Sequence, residues 1–147
     1  MKLKQISVFV ENKPGQLSHT CRAMAKAGIN ITTLSLADTQ QFGILRLLIQ
    51  DHETAMKVLQ EAGCVVKLTD VVAIAVPDRP GGLADVLEAI ETAEINLEYM
   101  YAFTYRRQEK GLMVFRFEDP DQAVQVLGKA GFEIVGGEEL TRRMETK

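Results

Sequence analysis

From Leu3 to Val10 apolar and polar residues alternate, with Ile6, Val8 and Val10 on one side, which is the period of a half-buried β-strand. Pro14-Gly15 interrupts the pattern, and Leu17, Cys21, Met24 and Ala25 then recur at helical spacing. Gly28 stands where a helix C-cap is expected. Ile29–Leu36 is rich in β-branched residues and predicts a second strand, a turn around 38–41 follows, and Phe42–Gln50 predicts a third. Asp51 can cap a second helix with Ala55, Val58, Leu59 and Ala62 on one stripe. Gly63 closes that helix, and Cys64–Leu68 predicts a fourth strand.

The order then repeats. Val72–Val76 predicts a strand, Leu83, Val86, Leu87 and Ile90 a helical stripe, and Ile95–Tyr105 and Gly111–Phe117 two more strands. Ala123, Val126, Leu127 and Ala130 mark another helix, and Phe132–Val135 a last strand. The residues themselves repeat as well as the pattern. Pro14, Gly15, Leu17 and Asn30 recur as Pro80, Gly81, Leu83 and Asn96 at an offset of 66. Gly43-Ile44-Leu45 and Ala62-Gly63 recur as Gly111-Leu112-Met113 and Ala130-Gly131 at an offset of 68. The change of offset predicts a two-residue insertion in the loop between the middle strands of the second copy. The fold expected is α+β: two βαββαβ units of the ferredoxin-like kind, 1–69 and 70–147, with helices on one face of each antiparallel sheet. Only Thr69-Asp70 separates the copies, so they are expected side by side. Ile44 and Leu48 point one way and Leu45, Leu47 and Ile49 the other, so the second sheet face is expected to be covered, by another subunit or by the other copy.

Composition narrows the function classes. A net charge of −3 and a pI near 5.4 give no pull toward nucleic acid or anionic membrane. The longest strongly apolar run, Val71–Val76, is too short to span a bilayer, and Lys4, Gln5 and Ser7 interrupt any signal-peptide core. Cys21 and Cys64 form no close pair, and Cys21 reads as a small buried hydrophobe. These features fit a soluble cytoplasmic protein.

The repeated turn carries the candidate chemistry. Asn12-Lys13-Pro14-Gly15-Gln16-Leu17 and Asp78-Arg79-Pro80-Gly81-Gly82-Leu83 each lie between a strand and a helix N-terminus. A helix start offers unpaired backbone N–H groups and partial positive charge, which suit a carboxylate. Asn12 and Asp78, at the strand ends, can accept hydrogen bonds from an ammonium group. Together these parts fit an α-amino acid. The plainer alternative is that Asn12 and Asp78 organise the turn and Pro-Gly only punctuates it.

Strand, Asn/Asp-x-Pro-Gly-x-Leu, helix, then Ile29-Asn30-Ile31 or Ile95-Asn96-Leu97 resembles the ACT domain, twice over essentially the whole chain. ACT domains are regulatory modules, usually paired, that bind amino acids at the interface between domains. The resemblance implies ligand contacts from Asn12, Gly15, Gln16, Leu17, Asn30 and Ile31, and from Asp78, Gly81, Gly82, Leu83, Asn96 and Leu97 in the second copy. The family's helix-ending glycine is present as Gly28 and replaced by Glu94, so the two sites are not expected to be equivalent. Met24, Leu17, Leu83, Tyr99 and Met100 are candidate pocket walls. The duplication leaves no room for a catalytic domain, which implies a stand-alone sensor or a regulatory subunit acting on a separate metabolic enzyme or transporter; a homodimer is also expected. No cofactor and no metal are expected.

Other readings have weaker support. His19 and His52 have no nucleophile partner, no spacing suggests zinc, and both histidines are expected exposed. Acylphosphatases share the topology and use an Arg and an Asn, but Arg79 has Lys13 as its counterpart. Lys110–Phe117 partly echoes the third-strand motif of RNA-recognition domains, yet Leu112 and Val114 replace the stacking aromatics. Tyr99, Tyr101, Phe103 and Tyr105 share a strand face and read as interface or core, and Arg106-Arg107 as a solvated hairpin end. A ligand-free oligomerisation module is the remaining alternative. Asn30 and Asn96 discriminate, since a partly buried Asn at a ligand site is left unsatisfied without the ligand. The stretch 138–147 reads as a closing strand or a tail.

Overall fold

A computed structural model describes residues 1–38, 40–107 and 109–145, without the side chains of 38, 104–107, 144 and 145. The chain divides into two compact units, Lys4–Thr69 and Asp70 onward together with Met1–Leu3. The first copy holds β1 (Leu3–Glu11), α1 (Gln16–Lys26), β2 (Thr33–Asp38), β3 (Phe42–Leu48), α2 (His52–Glu61) and the start of β4 (Val65–Pro77). The second holds the rest of β4, α3 (Gly82–Thr92), β5 (Leu97–Arg107), β6 (Lys110–Phe117), α4 (Pro120–Lys129), β7 (Glu133–Val135) and α5 (Gly137–Glu145). Both have the ferredoxin-like order expected from the sequence.

In the first copy β3 pairs antiparallel with β1 and β2, setting Leu45 opposite both Val8 and Leu36. Ile6, Val8, Val10, Leu45, Leu47 and Ile49 form a core with Met24 of α1 and Ala55 and Leu59 of α2. In the second copy β6 pairs antiparallel with β4 and β5, and β7 pairs with β4. There Val72, Ile74, Val76, Phe115 and Phe117 meet Val86 and Ile90 of α3 and Ala123 and Leu127 of α4. Leu59 and Leu127 occupy equivalent places and are both fully buried. Asp51 caps α2 as expected: its side chain accepts from the Thr54 amide at 3.2 Å and the Thr54 hydroxyl at 2.6 Å, which holds its carboxyl below the usual range.

Several elements differ from expectation. The second strand begins at Thr33 rather than at Ile29, and Ile29 and Ile31 fill the core edge from the loop before it. The end of the first copy and the start of the second are one strand, β4, because β-branched residues continue on both sides of Thr69-Asp70. The buried side of α1 is centred on Thr20 and Met24, while Leu17 and Ala25 are exposed. Cys21 and Cys64 are half-buried free thiols, and His52 is half-buried where exposure was expected. The two-residue insertion is absorbed within β5 and not in its turn. Ala102 lies opposite Met113 and Arg106 opposite Gly111, so the strand carries two residues more than its partner there. Another shift between Leu97 and Tyr99 turns Tyr99 and Tyr101 to one face and Met100 to the other. The side chains of Tyr105, Arg106 and Arg107, and residues Thr39, Thr146 and Lys147 with them only as far as they were expected in turn or tail, lie outside what is described.

The C-terminal stretch is neither strand nor tail over 137–145: it is the helix α5, with Glu138 and Glu139 in its first turn and Arg142 and Arg143 in its last, the charge order that the helix dipole favours.

α5 also changes the account of the second sheet face. Ile134 of β7 packs into the core with α3 and α4, so Glu133 and Val135 point to the opposite side. Arg143 of α5 pairs with Glu133 there, and Lys110 reaches the same carboxylate at 3.2 Å. In the second copy, then, an extra helix of the same unit reaches the face for which cover by another subunit or the other copy was expected. On the corresponding face of the first copy, Phe9 is 47% and Phe42 53% exposed.

Candidate ligand-binding site

The two Pro-Gly turns are built alike. The Asn12 amide donates to the Gln41 carbonyl at 2.9 Å and the Asp78 amide to the Glu109 carbonyl at 2.8 Å, tying each turn to the neighbouring hairpin. Gly15 and Gly81 stand at the N-caps of α1 and α3 with φ of 90° and 86°, a left-handed conformation that glycine adopts without penalty. Neither helix has a side-chain cap at this end. The Gln16 and Gly82 amides turn back to the Lys13 and Arg79 carbonyls, at 3.2 and 3.0 Å, and the amides that follow them in the first turn keep their positive end outward, the property that suits a carboxylate.

The turns differ in charge. Around α1 stand Asn12, Lys13 and, one turn in, His19; Lys13 pairs with Glu11 at 3.1 Å. Around α3 the equivalents are Asp78, Arg79 and Asp85, and Arg79 pairs with Asp85 at 2.9 Å while also donating to the Pro80 carbonyl. This pair sets a carboxylate in the first turn of α3, whereas α1 has no acidic residue there. Gly82 is buried, and a Cβ on it would stand 2.0 Å from the Pro77 carbonyl oxygen. Its glycine is required by helix-to-strand packing; the equivalent Gln16 is exposed.

Asn12, Gly15, Gln16, Leu17, Asp78 and Gly81 share the solvent-facing surface of their turns, while Leu83 packs partly against the core. Asn30 and Asn96 are exposed, not partly buried as the discriminating argument required. Asn96 donates to Glu118 Oε2 at 2.8 Å and its carbonyl accepts from the Glu118 amide at 3.0 Å. It lies in an open depression of about 430 Å³ with Glu94, Glu118 and Asp119, away from the Pro-Gly turn residues. Ile31 and Leu97 pack against their cores. Met24 is fully buried and Met100 packs against the second core, so neither is an open pocket wall; helical and strand phase direct both inward. The Arg79–Asp85 pair has a sequence signal, opposite charges flanking the turn, but the Asn96–Glu118 pair joins residues that only the fold brings together.

Phe115 and Phe117 are fully buried on the helix side of their sheet, with ring centroids 5.5 Å apart, so the RNA-motif echo has no exposed aromatic platform at these two positions. His19 is exposed and lies 3.3 Å from the Ala62 carbonyl. Among the described residues no group of three or more His, Cys, Asp or Glu could hold a metal ion, and no helix is long and apolar enough to cross a membrane.

The family model described as "ACT domain pair" matches residues 1–144. The chain belongs to this ACT family. A solved structure of protein BT0572 from Bacteroides thetaiotaomicron is 34% identical, with 95% of this chain and 96% of that one covered and a TM-score of 0.88. The fold also matches the regulatory subunit of aspartate kinase from Thermus thermophilus, in its ligand-free form, at 16% identity, 87% and 92% coverage and a TM-score of 0.62. The corresponding subunit from Thermus flavus matches at 19% identity, 86% and 91% coverage and a TM-score of 0.58. No curated protein matches the chain. As an ACT pair, the chain presents its repeated turns as the two copies of the family's strand-to-helix motif, alike in backbone and unlike in charge.

Proposed function

We propose that this ACT pair is a non-catalytic regulatory protein that binds an amino acid and controls a separate enzyme or transporter of amino-acid metabolism in the cytoplasm. The observation that carries the reading is the uncapped, glycine-started helix N-terminus that follows the strand in both copies. The ligand carboxylate would bind the first-turn amides, with Asn12 and Asn30 in one copy and Asp78 and Asn96 in the other as polar contacts. Of the two turns, the first is the stronger candidate, since it lacks the Asp85 carboxylate that repels an anion. The copies are taken to divide at 69/70.

The turns are exposed, so a ligand there needs a second wall. An ACT domain of a second chain supplies one, and the half-exposed Phe9 and Phe42, which share a sheet face of the first copy, favour such a homodimer. The aspartate kinase regulatory subunits named above offer a precedent for the same fold serving regulation. The binding would act by preferring one arrangement of domains over another.

A thermal-shift screen of the purified chain against the twenty amino acids tests the reading. One amino acid at a hundredfold excess over its Kd stabilises the fold by about 2.7 kcal/mol. Asn30→Ala should abolish that shift without altering the unliganded melt, because Asn30 is exposed. No response to any amino acid, together with clear self-association, would favour the oligomerisation module, which the same exposed apolar residues support.

A further inference from the structure

α5 lies outside the duplication: the second βαββαβ unit is complete at β7, and the first copy has no counterpart to this helix. Arg143 ties it to Glu133, on the sheet face opposite α3 and α4, and the strands of that face carry apolar residues. The strand register sets Val135 opposite Ala73 and Glu133 opposite Ala75, and Leu112 and Val114 of β6 point the same way. Ala73, Ala75, Leu112, Val114 and Val135 are all buried.

Yet the described side chains of α5 include little buried apolar surface. Among its described side chains Leu140 is the one buried apolar group, whereas α3 contributes Val86 and Ile90 to its core and α4 contributes Ala123 and Leu127. Charge supplies the remaining attachment. Arg143, 18% exposed, pairs with Glu133 of β7 and, through Nε at 2.8 Å, with Glu139 of α5. Lys110 of β6 holds the second Glu133 oxygen, and Arg142 pairs with Glu139.

We propose that α5 is a charge-latched cap that opens and closes as a local unit on the second copy's sheet, with Glu133 and Arg143 as the latch. A helix whose described attachments are one leucine and part-exposed ion pairs opens at less cost than helices locked into a shared core. Closed, the cap sits on the Glu133 side of β7; open, it exposes Leu140 and frees the Glu133 carboxylate to solvent. The cap thereby makes access to this face an equilibrium that salt and substitution at the latch can shift. This inference does not depend on which ligand the protein binds.

Hydrogen exchange on the full-length chain tests it, with Glu133→Gln and Arg143→Gln as latch variants. In the wild type the α5 amides should exchange faster than the core amides of α3 and α4. Each variant should raise the α5 rate by about fivefold, the factor given by a part-exposed ion pair at the upper end of its usual range, with α3 and α4 unchanged. High salt should act in the same direction on the wild type. The proposal is overturned if α5 exchanges in step with α3 and α4, if neither variant changes its rate, or if both variants expose α3 and α4 equally, which would make α5 part of the global fold.

Discussion

Replacing Glu94 by glycine should stabilise the second copy. α1 ends in a Schellman motif: Gly28, at φ 72°, donates to the Ala25 carbonyl, and Ile29 to the Met24 carbonyl. α3 ends with the same two bonds, from Glu94 to Glu91 at 2.9 Å and from Ile95 to Ile90 at 3.2 Å, but its left-handed residue is Glu94 at φ 57°. A side chain in this region costs about 1–2 kcal/mol. The Glu94 carboxylate also stands at the negative end of the α3 dipole and shares a depression with Glu118 and Asp119, adding about 0.3–1 kcal/mol. Against this, glycine returns about 0.5–1 kcal/mol of chain entropy to the unfolded state. The balance is a gain of about 1 kcal/mol, or about 2–4 °C in Tm for a chain of this size. Denaturant and thermal melts of Glu94→Gly against wild type measure it, and Gly28→Glu should lose about as much in the first copy. An unchanged or lower Tm for Glu94→Gly would refute the reasoning, because the side chain would then contribute more than its backbone conformation costs.

Other consequences follow from the packing and the charges. Gly82→Ala should cost about 1–3 kcal/mol in a denaturant melt, since the new Cβ meets the Pro77 carbonyl oxygen at 2.0 Å and α3 must shift. Leu59→Ala and Leu127→Ala, at equivalent buried positions, should each cost about 2–5 kcal/mol, with exchange protection lost first in the copy that carries the substitution. Glu133 is held below the usual carboxylate range by the hydrogen bond from Arg143 and then by Lys110. A lowered folded-state pKa stabilises above the unfolded value and the contribution disappears as pH falls through the folded one, so acid titration should release α5. That loss should be absent from Glu133→Gln, where exchange in α5 is already raised.

The ACT architecture was legible because the information is local and occurs twice. Alternation over Leu3–Val10, the helical stripes ending at Leu59 and Leu127, and the Asp51 cap each depend on residues near in sequence. The polar turn was legible for the same reason, since Pro-Gly before a helix start prescribes its own backbone. Phase was less secure: Thr20 rather than Leu17 faces the core of α1, because the direction of a helix stripe is set by what it packs against. Ile29–Ile31 has strand-like composition but serves as the hydrophobic end of a Schellman turn, which its neighbours in space decide. The partners of Asn96 and Arg143, and the place of α5, depend on residues far apart in sequence or on a face shaped by several strands. Periodicity and capping are properties of consecutive residues, so the chain alone determined the elements and their order. Burial, pairing and charge compensation are properties of surfaces brought together, so only the tertiary structure decided that the second copy's sheet carries its own helix and that two turns with one backbone differ in their electrostatics.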